Sequence, residues 1–294
     1  MSVKIFWDPT GTSVDTLGTD KFLRVTDGDT PYISTSIRLL SIDTPEIHYP
    51  GLTKPSKHDV SFAKLATWID EEKAPIQQDL GQYLIPKLET GNAGTLQEQQ
   101  GIEATSFFRD LLEKKLALDD DKKRPLFIRA ADEHFDQYGR LLAYISPNYT
   151  AKERESMSRR DRATFNLLMV ESGWAASFPI YPSIPSHPDL VLLREAAKDA
   201  FENGKGAWAN SLTLTGYEFR MCVRLYDITE KLVSGKELYG SKKYEWIERY
   251  CVDMTTTEIN YPQSYHRVKP YDRIFVWPKD VVEAVAKMNL VPAS

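Results

Sequence analysis

Cysteine is scarce: Cys222 and Cys251 are the two thiols in 294 residues. A pair so far apart gives neither a disulfide framework nor a metal-ligand spacing, so both read as reduced, structural side chains. Long apolar runs are missing too. No stretch approaches the roughly 18 residues of a membrane span. The opening MSVKIFWDPTGTS holds no apolar core of signal-peptide length, so the expectation is a cytoplasmic chain. Nor is there an excess of positive charge: 37 Lys and Arg stand against 42 Asp and Glu, for a net charge of −5. Nucleic-acid binders are commonly basic, and this chain is not. Residues 211–294 carry 12 positive and 11 negative side chains, so the acidic excess lies in the rest. A polyanion held there needs a local basic patch, or metal ions drawn to clustered carboxylates. What is present is a globular balance of 41% hydrophobic and 27% charged residues, enough for one large or two small domains.

Residues 21–26 and 32–42 read as strands around Asp27-Gly28-Asp29, a sequence that favours a tight hairpin. Residues 125–131 and 139–146 make a second strand pair. Helical spacing runs from Ile102 to Leu116, over about 161–172 up to Gly173, and from Ser186-His187-Pro188 to Asn203-Gly204. Short strands with helices between and after them suit a small β-barrel with packed helices, an α+β fold. Residues 47–101 break this rhythm and read as a helical insertion. Its second helix is expected to break at Pro86, and TGNAGTLQEQQG to form a flexible return loop. After Ser211, Tyr217, Phe219, Met221, Val223 and Leu225 alternate with more polar neighbours and predict a strand. Ile274–Trp277 predicts another, and Asp280 with Glu283 predicts a capping box on a last helix. The expected division is 1–210 as one domain and 211–294 as a small α+β domain unnecessary for any chemistry in the first.

Three polar stretches carry chemistry: VTDGDT at 25–30, IRLLSIDTPE at 37–46 and DQYGR at 136–140. Asp29 and Asp43 flank a predicted strand, and two carboxylates with the Thr44 carbonyl make oxygen donors for a hard cation. Glu46 lies one short turn on, within reach of a water beside such a cation. Arg38 and Arg140 sit in or at the ends of strands, and two guanidiniums on one phosphate stabilise a phosphoryl transition state. Each stretch alone has a plainer reading: a turn, a strand exit, a hairpin tip with an exposed cation. Together, in this order, they favour a site.

In combination these stretches resemble the thermonuclease, or staphylococcal-nuclease-like, family over residues about 20–210. GIEATSFFRDLL, FNLLMVESGWAA and REAAKDAFENGKGAW extend the likeness. The resemblance implies an OB-type five-stranded barrel with three helices, and a Ca²⁺-dependent nuclease acting on DNA or RNA. Such an enzyme cleaves the P–O5′ bond and leaves a 3′-phosphate. Asp29, Asp43 and the Thr44 carbonyl would hold Ca²⁺, with Asp27 behind them. Glu46 would serve as base or water-positioning group, and Arg38 and Arg140 would neutralise the phosphate. Tyr138 and Tyr181 would line the nucleotide pocket.

The chain also departs from the family. Gln137 stands where a basic residue is usual, and Pro31 enters its strand early. The insertion follows directly on Glu46, where it can narrow access or meet a partner. The five histidines show no metal-ligand spacing, and KERESMSRRDR at 152–162 reads first as a solvated loop. The rival reading is a catalytically weak nucleic-acid- or protein-binding module on the same barrel, and either 47–101 or 211–294 could serve a protein partner or self-association. The full set Asp29, Arg38, Asp43, Glu46 and Arg140 favours catalysis.

Overall fold

Alternation and turn chemistry set the first strands. The computed structural model describes residues 21–27, 31–119 and 122–293. Strands β1 (Lys21–Val25) and β2 (Pro31–Ser34) pair antiparallel. Strand β3 (Ile37–Leu39) turns through Ser41 into β4 (Ile42–Asp43). Ser41 takes the left-handed φ of +59° that this corner demands, and its hydroxyl meets the Tyr144 hydroxyl at 2.6 Å. Helices α1 (Asp59–Asp70), α2 (Gln78–Leu88) and α3 (Ala93–Leu116) follow. Strands β5 (Leu126–Phe135) and β6 (Leu141–Pro147) form the expected antiparallel pair, and β3 joins β6 in parallel. Next come α4 (Ala151–Ser156), α5 (Phe165–Glu171), β7 (Ala176–Ser177), β8 (Ile180–Tyr181) and α6 (His187–Glu202). The fold is α+β. Among the described residues the expected barrel strands run as separate ladders, β1–β2, β3–β6–β5 and β4–β7, rather than one closed sheet.

The insertion is helical, with two differences from expectation. Helix α2 runs through Pro86 to Leu88. Pro86 is exposed, and the carbonyl it leaves unbonded belongs to exposed Gln82, which water can satisfy. The segment TGNAGTLQEQQG is no flexible loop, because α3 begins at Ala93 and runs for 24 residues. Its glycines serve close approach. A Cβ on Gly94 would collide with the Pro55 carbonyl, and one on Gly101 would lie 2.7 Å from the Glu46 carbonyl oxygen.

The strand expected at 217–225 is a helix, α7 (Gly216–Val233). Tyr217, Phe219, Met221, Val223 and Leu225 are buried, but so are Glu218 and Cys222 between them. Residues 216–223 are buried or half-buried all round, and the exposed residues Arg224, Asp227, Glu230 and Lys231 begin only in the third turn, so over the first two turns a two-residue alternation arises by composition alone. Beyond it lie β9 (Tyr250–Asp253), β10 (Glu258–Asn260), β11 (Arg273–Val276), α8 (Val281–Met288) and β12 (Val291–Pro292). The sheet order is β12–β10–β9–β11–β8, so β8 adds a strand from before Ser211. The capping box expected at Asp280 does not form. Residues 278–280 make a 3₁₀ turn into α8, Asp280 caps nothing with its side chain, and Glu283 pairs with Lys287.

The largest core crosses position 211. Phe62 and Leu65 of α1 and Leu80 and Leu84 of α2 pack with Phe219, Cys222 and Leu225 of α7, and with Trp246, Tyr265 and Phe275. Within it sits a buried ion cluster. Glu218 closes a capping box with Thr215 at the start of α7, and accepts from Tyr83 Oη at 2.7 Å, Tyr265 Oη at 3.1 Å and Lys87 Nζ at 3.1 Å. Burial alone would raise the Glu218 pKa, but Lys87 and Arg273 reverse that and hold it at about 2. A depressed carboxylate contributes stability above its ordinary 4.5 and loses it as pH falls toward 2. Glu218→Gln should therefore cost about 3–5 kcal/mol near neutral pH, with Lys87 left unpaired. In urea titrations the gap to wild type should narrow as pH drops through that window. A gap that stays constant would mean the ion cluster does not govern acid stability.

Candidate functional site

Asp43 ends β4, where pairing with Ala176 of β7 fixes its backbone and leaves the residue 2% exposed. Arg38, five residues earlier on β3, donates from Nη2 to the Ile42 carbonyl and to Asp43 Oδ1, both at 3.2 Å. The β3–β4 corner at Ser41 is what folds the arginine back onto the carboxylate. Glu46 follows Pro45 and is half-buried. Its backbone N–H donates at 2.8 Å to the Gln97 side chain, with that amide turned so that it also donates to the Leu214 carbonyl at 2.9 Å. Helix α3 thus fixes Glu46 from one side, and Gly101 lets it come that close.

From the other side comes Arg220 of α7. Its Nη2 donates to Asp43 Oδ1 at 3.0 Å, and its Nη1 is bonded to Glu46 Oε1. One guanidinium joins both carboxylates. Burial works against the Arg220 charge, but Asp43 and Glu46 together push its pKa above the ordinary value. The Glu46 pKa is raised: burial and the Asp43 charge outweigh the pull of Arg220 and Arg38. The start of α7 presses on the same point. A Cβ on Gly216 would collide with the Thr44 carbonyl oxygen and lie 2.7 Å from Asp43 Oδ2, so no side chain fits there.

The donor chemistry suits a hard cation. Asp43 Oδ2 is buried without a hydrogen-bond partner, and it converges with the Thr44 carbonyl on the same spot beside Gly216. An unpaired buried carboxylate oxygen is costly, and a cation would satisfy it. Among the described residues, however, no group of three or more His, Cys, Asp or Glu could hold a metal. The positive charge that Asp43 Oδ1 and Glu46 share is the guanidinium of Arg220, with Arg38 a second one on Asp43 Oδ1.

The remaining expected residues fall in different places. Asp29 lies outside the described residues. Asp27 is exposed beyond β1. Arg140 directly precedes β6; Arg38 pairs in register with Leu142, so strand alternation puts Arg140 on the side that Arg38 faces. Its guanidinium is held by Asp136, with Nε to Oδ2 at 2.7 Å, and lies 5.2 Å from the centre of the exposed Tyr138 ring. Tyr181 is buried in β8 among Val252, Ile274 and Val276, and lines a cavity of about 160 Å³ with Arg38.

A family model described as staphylococcal nuclease homologue matches residues 36–210, more than half of the chain. The chain belongs to this family. Among curated proteins, nothing matches it. The match places the chain in a nuclease-type family, one that suggests nucleic acid as the substrate class. No described helix is long and apolar enough to cross a membrane.

Against that family, Gln97, Gly216 and Arg220 lie outside the shared motifs, in the insertion and beyond the matched segment. Gly101 opens GIEATSFFRDLL, but nothing in that stretch marked it as a neighbour of Glu46. One signal was available for α7: Thr215-x-x-Glu218 ahead of an apolar run is a capping-box pattern. Nothing in the local sequence marks Arg220, which lies 174 residues from the carboxylate it binds. Asp136, which holds Arg140, could have been read from its position at the head of the DQYGR turn.

Proposed function

We propose that this chain is a Ca²⁺-dependent nuclease that hydrolyses phosphodiester bonds of DNA or RNA at P–O5′ and leaves a 3′-phosphate. The observation that carries this is the convergence of Arg38, Asp43 and Glu46 within the family-matched segment. Asp43, the Thr44 carbonyl and Asp29 would hold Ca²⁺, which when bound supplies positive charge beside the phosphate. Glu46 accepts a proton from the attacking water. Its raised pKa suits that task, since a stronger base works closer to neutral pH. Arg38 presents its fork to the phosphate from the next strand, and Arg140, once exchanged from Asp136, adds a second. Arg220 is the counter-ion that joins Asp43 and Glu46, and Ca²⁺ would add charge at the Asp43 Oδ2 that Arg220 leaves unpaired.

The test is digestion of single- and double-stranded DNA and RNA, with Ca²⁺ and with excess EGTA. Cleavage should need Ca²⁺, and Mg²⁺ should serve poorly because it demands tighter octahedral geometry. Arg38→Lys keeps the charge but loses the two-pronged fork, and should slow turnover by about 10²–10³-fold. Glu46→Gln should lose turnover while keeping Ca²⁺ binding. Full activity in EGTA would overturn the metal assignment, and undiminished turnover in Arg38→Lys would remove that arginine from the site.

A further inference from the structure

Beside Asp43 and Glu46, the C-terminal segment gathers three arginines, of which Arg220 alone has acidic partners among the described residues. Arg220 and Arg224, one turn apart on α7, and Arg249, just before β9, line a pocket of about 40 Å³ with Trp246 and Trp277. Glu248 is the carboxylate at its rim; it is exposed and pairs with none of the three among the described residues. Arg249 is the anomaly. Its guanidinium lies 4.0 Å from the centre of the Trp277 ring, 5.4 Å from Tyr217 and 5.5 Å from Phe178. Its Nε is buried with no hydrogen-bond partner, and no described carboxylate forms an ion pair with it. Arg224 donates to the Tyr49 hydroxyl at 3.1 Å and likewise has no acidic partner among the described residues. Burial and the charges of Arg220 and Arg224 push the Arg249 pKa below its ordinary value, which Tyr217 and the nearby Asp43 charge oppose.

Aromatic faces steady a guanidinium but do not accept its hydrogen bonds. A buried donor left unpaired is expensive, and like charges brought together add to the cost. An oxyanion relieves both. A water takes about 10–15 Å³ of such space, so the pocket holds about three, enough for the two non-bridging oxygens of a phosphodiester. A guanidinium fork matches both carboxylate and phosphate, and several forks around one point suit a group that presents oxygens in several directions, as phosphate does.

We infer that Arg220, Arg224 and Arg249 form a binding pocket for a backbone phosphate of the nucleic-acid strand, next to the one being cut. This rests on the nuclease reading for the strand, but not for the anion. Continuity favours a strand over free phosphate. Trp277 lines both this pocket and the adjoining cavity that holds Arg38 and Tyr181. A chain of nucleotides can therefore run from one to the other, with Trp277 as a stacking face between them. The sequence beyond the family-matched segment thus contributes substrate contacts of its own.

The test uses the full chain in EGTA, so that nothing is cut. Inorganic phosphate, a dinucleoside monophosphate and a plain nucleoside are titrated by calorimetry and by thermal shift. The two phosphate ligands should bind and the nucleoside should not, with the dinucleoside monophosphate at least as tight as inorganic phosphate. Arg224→Gln and Arg249→Met should each weaken both phosphate ligands by about tenfold or more. Arg224 is exposed, so its variant decides the matter if Arg249→Met fails to fold. Binding unchanged in Arg224→Gln, or no binding in wild type, overturns the pocket. Tight inorganic phosphate with no dinucleotide binding overturns the strand. Cleavage assays separate the readings: phosphate binding without any nuclease activity leaves the pocket and sinks the nuclease, while cleavage without phosphate binding does the reverse.

Discussion

In EGTA, Arg220→Ala should melt well below wild type, and Ca²⁺ should return most of the loss. The Asp43 side chain is 1% exposed and shares its Oδ1 between Arg38 and Arg220, while Oδ2 has no partner. Removing Arg220 leaves one guanidinium for that carboxylate and none for Glu46. Breaking a buried pair costs about 3–5 kcal/mol, and the surviving Arg38 contact argues for the lower end. Ca²⁺ binding to the folded state then stabilises in proportion to its occupancy, about 2.7 kcal/mol at a hundredfold excess over Kd. Wild type should gain less from the same Ca²⁺, because an ion at the unpartnered Asp43 Oδ2 would lie beside the Arg220 guanidinium and be repelled by it. Melting curves of both proteins with EGTA and over a Ca²⁺ series, with calorimetric Kd values alongside, read this directly. A tighter Kd in Arg220→Ala, with a larger Ca²⁺-induced rise in Tm, is the expected pair of results. Equal Kd values and equal shifts would mean that the Arg220 charge does not oppose the ion.

The part of the site legible in the sequence is the part that is local in the chain. Arg38, Asp43 and Glu46 fall within nine consecutive residues, and a strand, a corner and a proline suffice to bring them together. Arg220 was illegible because its partners lie 174 and 177 residues away, and no short-range pattern encodes such a contact. The fold divides in the same way. Helices with one apolar face, such as α6, could be read from their period. Helix α7 could not, because residues 216–223 of its first two turns are buried or half-buried all round and its exposed residues start only at Arg224. The glycines of α3 misled for a related reason. In isolation Gly94 and Gly101 weaken a helix, and only the neighbouring Pro55 and Glu46 carbonyls show why no other residue fits.

A chain ending at Asn210 should fail to fold cooperatively, and should lose cleavage with the fold. Truncation there strips α7 from the insertion helices. Phe62 and Leu65 are fully buried, with Phe219 edge-on to Phe62 at 5.4 Å, and Trp68 is stacked on Tyr226 at 5.4 Å. Leu80, Leu84 and Leu88 of α2, now without exposure, belong to the same cluster. Uncovering a Leu or Phe costs about 1.5–3 kcal/mol, so four or five such residues match the roughly 5–15 kcal/mol of a typical domain. Polar losses add to this. Lys87 is left without Glu218, and Gln100, which donates to Thr213 Oγ1 at 2.8 Å, loses that acceptor. The damage also reaches the sheet, because β8 pairs with β11. Circular dichroism melting and amide NMR spectra of the truncated chain should show broad, non-cooperative loss of structure. Co-expressing residues 211–294 as a separate chain should rescue it. A sharp melting transition with Ca²⁺-dependent cleavage by the truncated chain alone would show that α1 and α2 can close their core without α7. Residues 211–294 would then serve as a dispensable cover over a nuclease that folds by itself.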